Sequence, residues 1–330
     1  MRELIIEKND AGQRLDKFIT KALDLPISLL YKSIRLKKIK VNRKRAEIST
    51  VLQVGDRVQC FLAEEFFAKL DRGEGEVAVS LDKIKPKLDV IYEDENLLLL
   101  NKRPGVSVHE DEQSNVNNLI NHVKAYLYQK GEYDPASEQS FTPSLCNRID
   151  RNTGGIVIAA KNAEALRKMN ELIKDRRIDK FYLAAIHGIP ERSSAVLKGY
   201  LIKDERTNQV KVFDKNPPKG AKEIVTGYKV IATAGKDALV EVELFTGRTH
   251  QIRAHMAHIG HPLVGDGKYG VNKADREKGY KYQALYSYKL RFNLGGEGGV
   301  LSYLEGKEFS IPKTEIYFTA QFFGKRTVEQ

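Results

Sequence analysis

"CNRIDRNTGGIVIAAKNAEALRKMNELIKDRRIDKFYLAAI", residues 146–186, holds the most legible run of structure in the chain. Ile156, Val157 and Ile158 form an unbroken β-branched run and predict a short buried strand. "KNAEALRKMNELIKD" then changes to helical spacing. Asn162 is placed to cap it, Leu166, Met169 and Ile173 line one face, and Glu164 stands four residues before Lys168 as a favourable pair. "FYLAAI" returns to a strand, with Tyr182, Ala184 and Ile186 on one face and Phe181, Leu183 and Ala185 on the other. The loop ahead of the first strand carries one carboxylate, Asp150, between Arg148 and Arg151, and closes on Gly154 and Gly155, which let backbone pass closely or adopt a positive φ. A carboxylate on a loop held by a core strand is a candidate for chemistry, and the competing reading is a surface ion pair with its neighbours.

Toward the N-terminus, "GQRLDKFITKAL" puts Leu15, Phe18, Ile19 and Ala22 at helical spacing, so one face is built to pack. Leu25 and Pro26 break it, a second short helix runs through Leu29, Leu30 and Ile34, and "KIKVN" alternates with Ile39 and Val41 on one side. "VLQVGDRVQCFL" reads as a strand pair around a Gly55-Asp56 turn. From residue 32 to 45, eight of fourteen residues are basic and none is acidic: Lys32, Arg35, Lys37, Lys38, Lys40, Arg43, Lys44 and Arg45. An isolated charge run is most simply a solvated face, but on a compact helix-turn-strand unit it fits a surface that tracks phosphates. The first unit is assigned to residues 1–62. Residues 63–88 read as a linker, with Phe66 and Phe67 pointing to partial docking. A second unit opens at residue 89 with "VIYEDENLLLLNKRPGVSVH", two strands around a turn at Glu93-Asp94-Glu95-Asn96, and runs to residue 325 ahead of a tail at 326–330.

Toward the C-terminus, "VEVELFTGRTHQIRAHMAHIGHPLVGDGKYG" begins as a half-buried strand in which Val240, Val242 and Leu244 alternate with Glu241 and Glu243. Gly247 turns the chain, and "THQIRAHMAHI" reads as a helix capped by Thr249 and ended by Gly260 and Pro262. Arg248 at the turn and Arg253 one helical turn in both stand within reach of that end of the sheet. His250, His255, His258 and His261 invite a zinc reading. There is no HExxH order and no nearby acidic or thiol set to complete a tetrahedron, so core and capping roles explain them better and no metal is expected.

Lys and Arg number 55 against 44 Asp and Glu, a formal charge of +11 that favours a polyanionic partner, either nucleic acid or an anionic membrane surface. The longest apolar runs, such as "NLLLLN" and "GGIVIAA", fall far short of the roughly 20 residues of a membrane-spanning helix. "MRELIIEKND" has neither a signal core nor a transit pattern, so a cytoplasmic protein is expected. Cys60 and Cys146 are too widely separated to form a disulfide framework or a metal knuckle. At 330 residues the chain has room for one small core and one large one.

Four of these stretches together carry a resemblance. "NRIDRNTGG" is similar to the "HRLDxxTSG" signature of the RluA-type family of ribosomal RNA pseudouridine synthases, and "NKRPGVSVH" to that family's "KPxGxxVH" loop. "KFYLAAIHG" resembles its "KxYxAxxxG" strand, and "GRTHQIRAHMAHIGHPLVGDGKYG" its "GRxHQxRxHxxxxGxPxxGDxxYG" block. The motifs occur in family order and cover the chain from about residue 89 to 325. The departures are Asn147 for His, Ile149 for Leu and Gly154 for Ser. The N-terminal unit resembles the small RNA-binding domain first described in the ribosomal protein S-four, with Lys38 where a glycine often stands.

The resemblance implies an α+β fold: a mixed, largely antiparallel sheet flanked by helices and loops, crossed by a catalytic cleft, with a small α/β RNA-binding domain ahead of it. It implies conversion of uridine to pseudouridine in RNA, large-subunit ribosomal RNA first and transfer RNA as the alternative; the oligomeric state is open, with a monomer the simplest expectation. The reaction moves uracil from a nitrogen-1 link to a carbon-5 link and neither gains nor loses an atom, so no cofactor is needed. The resemblance makes Asp150 the catalytic carboxylate, either as nucleophile at the anomeric carbon or as base at the neighbouring ribose carbon. Arg253 is its salt-bridge partner, with a guanidinium fork able to hold it bidentately. Arg148 fills the stack vacated by the extruded base, and Tyr182 stacks on that base and is placed to help remove the carbon-5 proton, although a phenol is a poor base near neutrality. Arg248 and the basic run are expected to contact RNA. Two rivals remain: a non-catalytic ribosomal RNA binder, and a zinc-dependent RNA hydrolase built on the histidines.

Overall fold

A computed structural model describes residues 1–23, 25–71, 81–109, 117–204, 206–207 and 209–323. The N-terminal part is a four-stranded antiparallel sheet in the order β1-β4-β2-β3, formed by β1 (Arg2–Ile5), β2 (Ile39–Val41), β3 (Lys44–Arg45) and β4 (Arg57–Cys60). Helices α1 (Leu15–Ala22) and α2 (Ile27–Arg35) cover one face of it. Leu15, Phe18, Ile19 and Ala22 are all buried, as their spacing predicts, and Leu30 and Ile34 join them from α2. Lys37, Asn42 and Arg43 take left-handed φ values of 60°, 51° and 63°, so the chain leaves α2 and turns the β2–β3 hairpin without glycine.

The expected strand pair around Gly55-Asp56 is not formed. β4 lies between β1 and β2 and both its edges are occupied, so residues 51–54 have no edge to join. They pair with the loop ahead of α1 instead, through Leu52 N–H to Gln13 O (3.0 Å), Gly12 N–H to Leu52 O (2.8 Å) and an isolated bridge between Arg14 and Val51. Of the stretch read as a linker, Glu64–Phe67 makes a 3₁₀ turn and α3 spans Ala68–Asp71, with Phe67 fully buried in the N-terminal core. At the other end, Leu81 is buried against the larger unit. Residues 72–80 and the tail 326–330 lie outside the described residues.

The larger sheet has eleven strands. Its main path is β11-β10-β12-β13-β9-β14-β8-β6-β5, with β7 (Ser144–Leu145) on β8 and β15 (Glu308–Ser310) on β14. The path strands are β5 (Val90–Glu93), β6 (Leu97–Lys102), β8 (Gly154–Ala160), β9 (Ile178–His187), β10 (Ser194–Asp204), β11 (Gln209–Phe213), β12 (Lys222–Ala234), β13 (Asp237–Leu244) and β14 (Leu285–Phe292). The pairing of β8 with β14 is parallel and every other pairing in this sheet is antiparallel, so the sheet is mixed and largely antiparallel.

Burial follows the period-two reading. Phe181, Leu183 and Ala185 face a core shared with α5 (Ala163–Lys174), while Tyr182, Ala184 and Ile186 face the opposite side with α6 (Gln251–His258). β8 is buried along its whole length, Ile156 and Ile158 against α5 and Val157 and Ala159 against α4 (Leu119–Gln129). Asn162 caps α5 by accepting from Ala165 N–H at 2.8 Å. Lys168 reaches Glu171 at 3.1 Å rather than the expected Glu164.

Candidate active site

The central strands bring four separate stretches of sequence to one end of the sheet. β8 begins at Gly154, whose neighbour Gly155 pairs with Lys102 at the end of β6 and with Ser287 near the start of β14. Ser287 in turn pairs with Tyr182 on β9, and Tyr182 with Val242 near the end of β13, from which the chain turns into α6. The two glycines are demanded by this crowding. A Cβ on Gly155, at φ +116°, would stand 2.1 Å from Ser287 O, and one on Gly154 would stand 2.3 Å from the Tyr286 ring. The family's usual serine at 154 is therefore excluded by Tyr286. Asn147, in place of the usual histidine, extends the β8 ladder with its side chain, accepting from Ile158 N–H (2.8 Å) and donating to Ile156 O (3.2 Å).

Asp150, half-buried just before β8, meets Arg253, which projects from α6. The contact is a single one, Nη1 to Oδ2 at 2.9 Å, which corrects the expectation of a bidentate fork. The fork goes to Asp266, through Nε to Oδ2 (2.7 Å) and Nη2 to Oδ1 (2.9 Å). The reason is geometric: the carboxylate at the tight Gly265 turn faces the side of the guanidinium that carries Nε and Nη2, and Asp150 receives the remaining nitrogen. Asp266 also accepts the backbone N–H groups of Lys268 (2.9 Å) and Tyr269 (3.3 Å). Burial pushes the Asp266 carboxyl up, but the Arg253 hydrogen bond and charge and these two N–H groups more than reverse it and hold it below the usual range. Burial likewise disfavours the Arg253 charge, and Asp266 first and Asp150 second overcome it, so the guanidinium stays charged although its side chain is 9% exposed.

Tyr182 lies on the same face of the sheet as Ile149, Ile252 and Met256 and is itself almost covered. Burial pushes its phenol up to about 12; Ser287 pulls the other way, and the Asp150 charge adds a smaller upward push. Lys102 is buried beneath the Asp150 loop, and its Nζ donates to the carbonyls of Val106 (2.8 Å), Arg151 (2.9 Å) and Arg103 (3.1 Å). It thereby ties the "NKRPGV" loop to the loop that carries Asp150. Burial lowers its ammonium to about 7 and the Asp150 charge opposes that shift. Three acceptors match the three N–H groups of an ammonium, so the geometry favours the charged form more than burial alone implies.

The helix containing Arg253 starts differently from the expectation. His250, not Thr249, is the N-cap residue, in the left-handed region at φ 54°, and no side chain caps the first turn. Gln251 does the local bonding, accepting from Arg248 N–H (3.1 Å) and from the Thr246 hydroxyl (3.0 Å). His250 Nδ1 lies 2.8 Å from the Tyr269 hydroxyl, and its Nε2 lies 3.9 Å from Asp150 Oδ2. The other histidines of the cluster have separate partners: His255 with Thr226, His258 with Asp214 and His261 with the carbonyl of His187. Among the described residues, no group of three or more His, Cys, Asp or Glu side chains is disposed to hold a metal.

Arg148 and Arg248 are exposed, as are Lys32, Arg35, Lys37, Lys38, Arg43, Lys44 and Arg45, with Lys40 half-buried. Asp150, Tyr182 and Arg253 thus converge with Arg148 two residues from the acid, while the basic run lies on α2, β2, β3 and the turns between them in the N-terminal part. Asp266, Lys102 and Tyr269 are site residues that the sequence reading passed over, and His250, expected in a core or capping role, stands beside Asp150. Each lies inside a quoted motif, "GDGKYG", "NKRPG" or "GRTHQIR", which was the available signal.

Residues 96–258 match the family model described as RNA pseudouridylate synthase. The chain belongs to this family of RNA pseudouridine synthases, of the RluA type, and is an isomerase of uridine in RNA. It is 31% identical over 308 residues to the ribosomal large subunit pseudouridine synthase C of Escherichia coli, covering 90% of each chain. It is 33% identical over 294 residues to the protein of the same name from Vibrio vulnificus, covering 87% of each. The fold is similar to that of human RNA pseudouridylate synthase domain containing 1, with a TM-score of 0.54 at 22% identity over 69% of this chain and 86% of that one.

Proposed function

We propose that the chain isomerises uridines in large-subunit ribosomal RNA, with Asp150 as the catalytic carboxylate. The observation that carries this reading is the chain Asp150–Arg253–Asp266: a half-buried carboxylate held through one oxygen by a guanidinium that a second, buried carboxylate locks in place. Arg253 takes Oδ2, and among the described residues no hydrogen bond occupies Oδ1, which is left to face the ribose. Whether Oδ1 bonds to the anomeric carbon or removes the neighbouring ribose proton, the bond between ribose and nitrogen 1 breaks, uracil turns and bonds to the same ribose carbon through carbon 5, and the carbon-5 proton is released to solvent. Extruding the base costs a few kcal/mol of unstacking, and Arg148, exposed beside the acid, fills the vacated position.

Tyr182 stacks on the base. Its raised value disfavours an early role as base, but if Asp150 forms a bond its charge disappears and with it one of the influences holding the phenol up. The substrate class follows the names of the relatives, and the exposed basic run of the N-terminal unit supplies phosphate contacts. The test is tritium release from RNA labelled at carbon 5 of uridine, in chelator, alongside RNA binding. Wild type should release tritium and Asp150→Asn should not, with binding nearly intact. Wild-type turnover by the variant would overturn the role of Asp150.

A further inference from the structure

His250 is the second protein group facing Asp150 Oδ2, after Arg253. Its protonation pattern follows from hydrogen-bond accounting. The N–H of Val210 donates to the Tyr269 oxygen at 2.9 Å, so that oxygen already accepts one bond. The Tyr269 hydroxyl proton needs an acceptor of its own, and the group beside it is His250 Nδ1 at 2.8 Å. Tyr269 therefore donates, Nδ1 accepts, and the ring proton of a neutral His250 must sit on Nε2, the nitrogen directed at Asp150. The ring stays neutral: burial and the Arg253 and Lys268 cations depress its pKa against the attraction of Asp150 and Asp266.

We propose that the relay Val210 N–H to Tyr269 hydroxyl to His250 Nδ1 sets His250 as an Nε2–H donor, a positioning residue that shares Oδ2 of Asp150 with Arg253 and keeps Oδ1 turned to the ribose. The proposal rests on the assignment of Asp150 above. At 3.9 Å the Nε2 contact is longer than a hydrogen bond, and the relay holds the donor in line to close once RNA displaces water from the cleft. Arg253 fixes the carboxylate at one point, which leaves rotation about that contact. A second donor from a different direction removes it.

The experiment compares kcat and KM for tritium release from a labelled large-subunit ribosomal RNA transcript by full-length wild type, His250→Ala, His250→Gln, Tyr269→Phe and the double variant His250→Ala/Tyr269→Phe. All keep a Cβ at position 250, so the left-handed backbone there is no more strained than in wild type, and Tyr269→Phe keeps the ring that lies 5.3 Å from the Arg253 guanidinium. Losing a hydrogen bond to an ionised group predicts a fall in kcat on the order of 10- to 100-fold for His250→Ala, with KM nearly unchanged. Gln restores an N–H donor and should recover most of the loss. Tyr269→Phe should fall in the same direction, and the double variant should be no slower than His250→Ala alone, because both act on one contact.

Thermal unfolding and RNA binding confirm that each variant is folded. A His250→Ala kcat within twofold of wild type overturns the proposal, as does a Gln variant no better than Ala. Full activity in Tyr269→Phe beside a slow His250→Ala removes the relay. Any of these results, with Asp150→Asn still inactive, leaves the assignment of Asp150 standing. An active Asp150→Asn instead removes that assignment and this proposal with it.

Discussion

Replacing Asp266 by alanine removes four acceptor contacts at once: Arg253 Nε at 2.7 Å, Arg253 Nη2 at 2.9 Å, Lys268 N–H at 2.9 Å and Tyr269 N–H at 3.3 Å. The Asp266 side chain has no solvent exposure and that of Arg253 has 9%, so water cannot replace the lost partner without entering the core. Breaking a buried ion pair from one side leaves an uncompensated charge, and the expected loss of stability is about 3–5 kcal/mol. Asp266→Asn keeps the shape but sets an amide NH₂ against a guanidinium N–H, and should recover little. Asp150→Ala is the control, since its carboxylate is 29% exposed and makes one contact with the same arginine, and it should cost within about 1 kcal/mol. Urea unfolding followed by circular dichroism measures all three. At temperatures where Asp266→Ala is still folded, kcat should also fall, because Arg253 no longer holds a fixed direction toward Asp150. An Asp266→Ala variant no less stable than Asp150→Ala would refute the assignment of the fork and the reasoning built on it.

Lys102→Met should leave the carbonyls of Arg103 and Val106 without this donor and that of Arg151 with only the Gly105 N–H, at a cost of about 2–4 kcal/mol in thermal or urea unfolding, and should slow tritium release by loosening the Asp150 loop. A Met variant as stable as wild type would show that the lysine is not needed there. His187 sits between Asp275 (3.0 Å) and Asp237 (3.1 Å); burial disfavours its charge, but the two carboxylates outweigh burial and raise its pKa. Its contribution to stability is therefore fully present below the unfolded value of about 6.5 and is lost as pH rises through the raised folded value. The stability difference between wild type and His187→Gln should shrink over that interval, and a difference constant from about pH 6 to 9 would contradict it.

The features that sequence alone determined are those whose cause is local. The side of β9 that Tyr182 shares with Ala184 and Ile186 follows from strand alternation, and Leu15, Phe18, Ile19 and Ala22 follow from a period of 3.6. Asn162 as a cap needs only the N–H three residues on. The motif blocks likewise brought Asp150, Arg253 and Tyr182 into view, because each motif is a short contiguous stretch. The choice among competing partners was not legible in this way. Residues 51–54 have strand composition, but β1 and β2 already occupy both edges of β4. Thr249 is a better cap by type than His250, yet the chain enters α6 through a left-handed histidine whose ring the Tyr269 hydroxyl engages.

Arg253 had a carboxylate available in Asp150, 103 residues away, and another in Asp266, 13 residues away. Both distances along the chain were visible, but the division of the guanidinium between them depends on the direction from which each oxygen arrives. That direction is set by a tight turn at Gly265 on one side and by the entry to a fully buried strand on the other. Composition and spacing determine which groups are present and which face of an element they share. Only the packed sheet decides which oxygen meets which nitrogen, because hydrogen bonds and ion pairs depend on angles and ångströms that no one-dimensional pattern encodes.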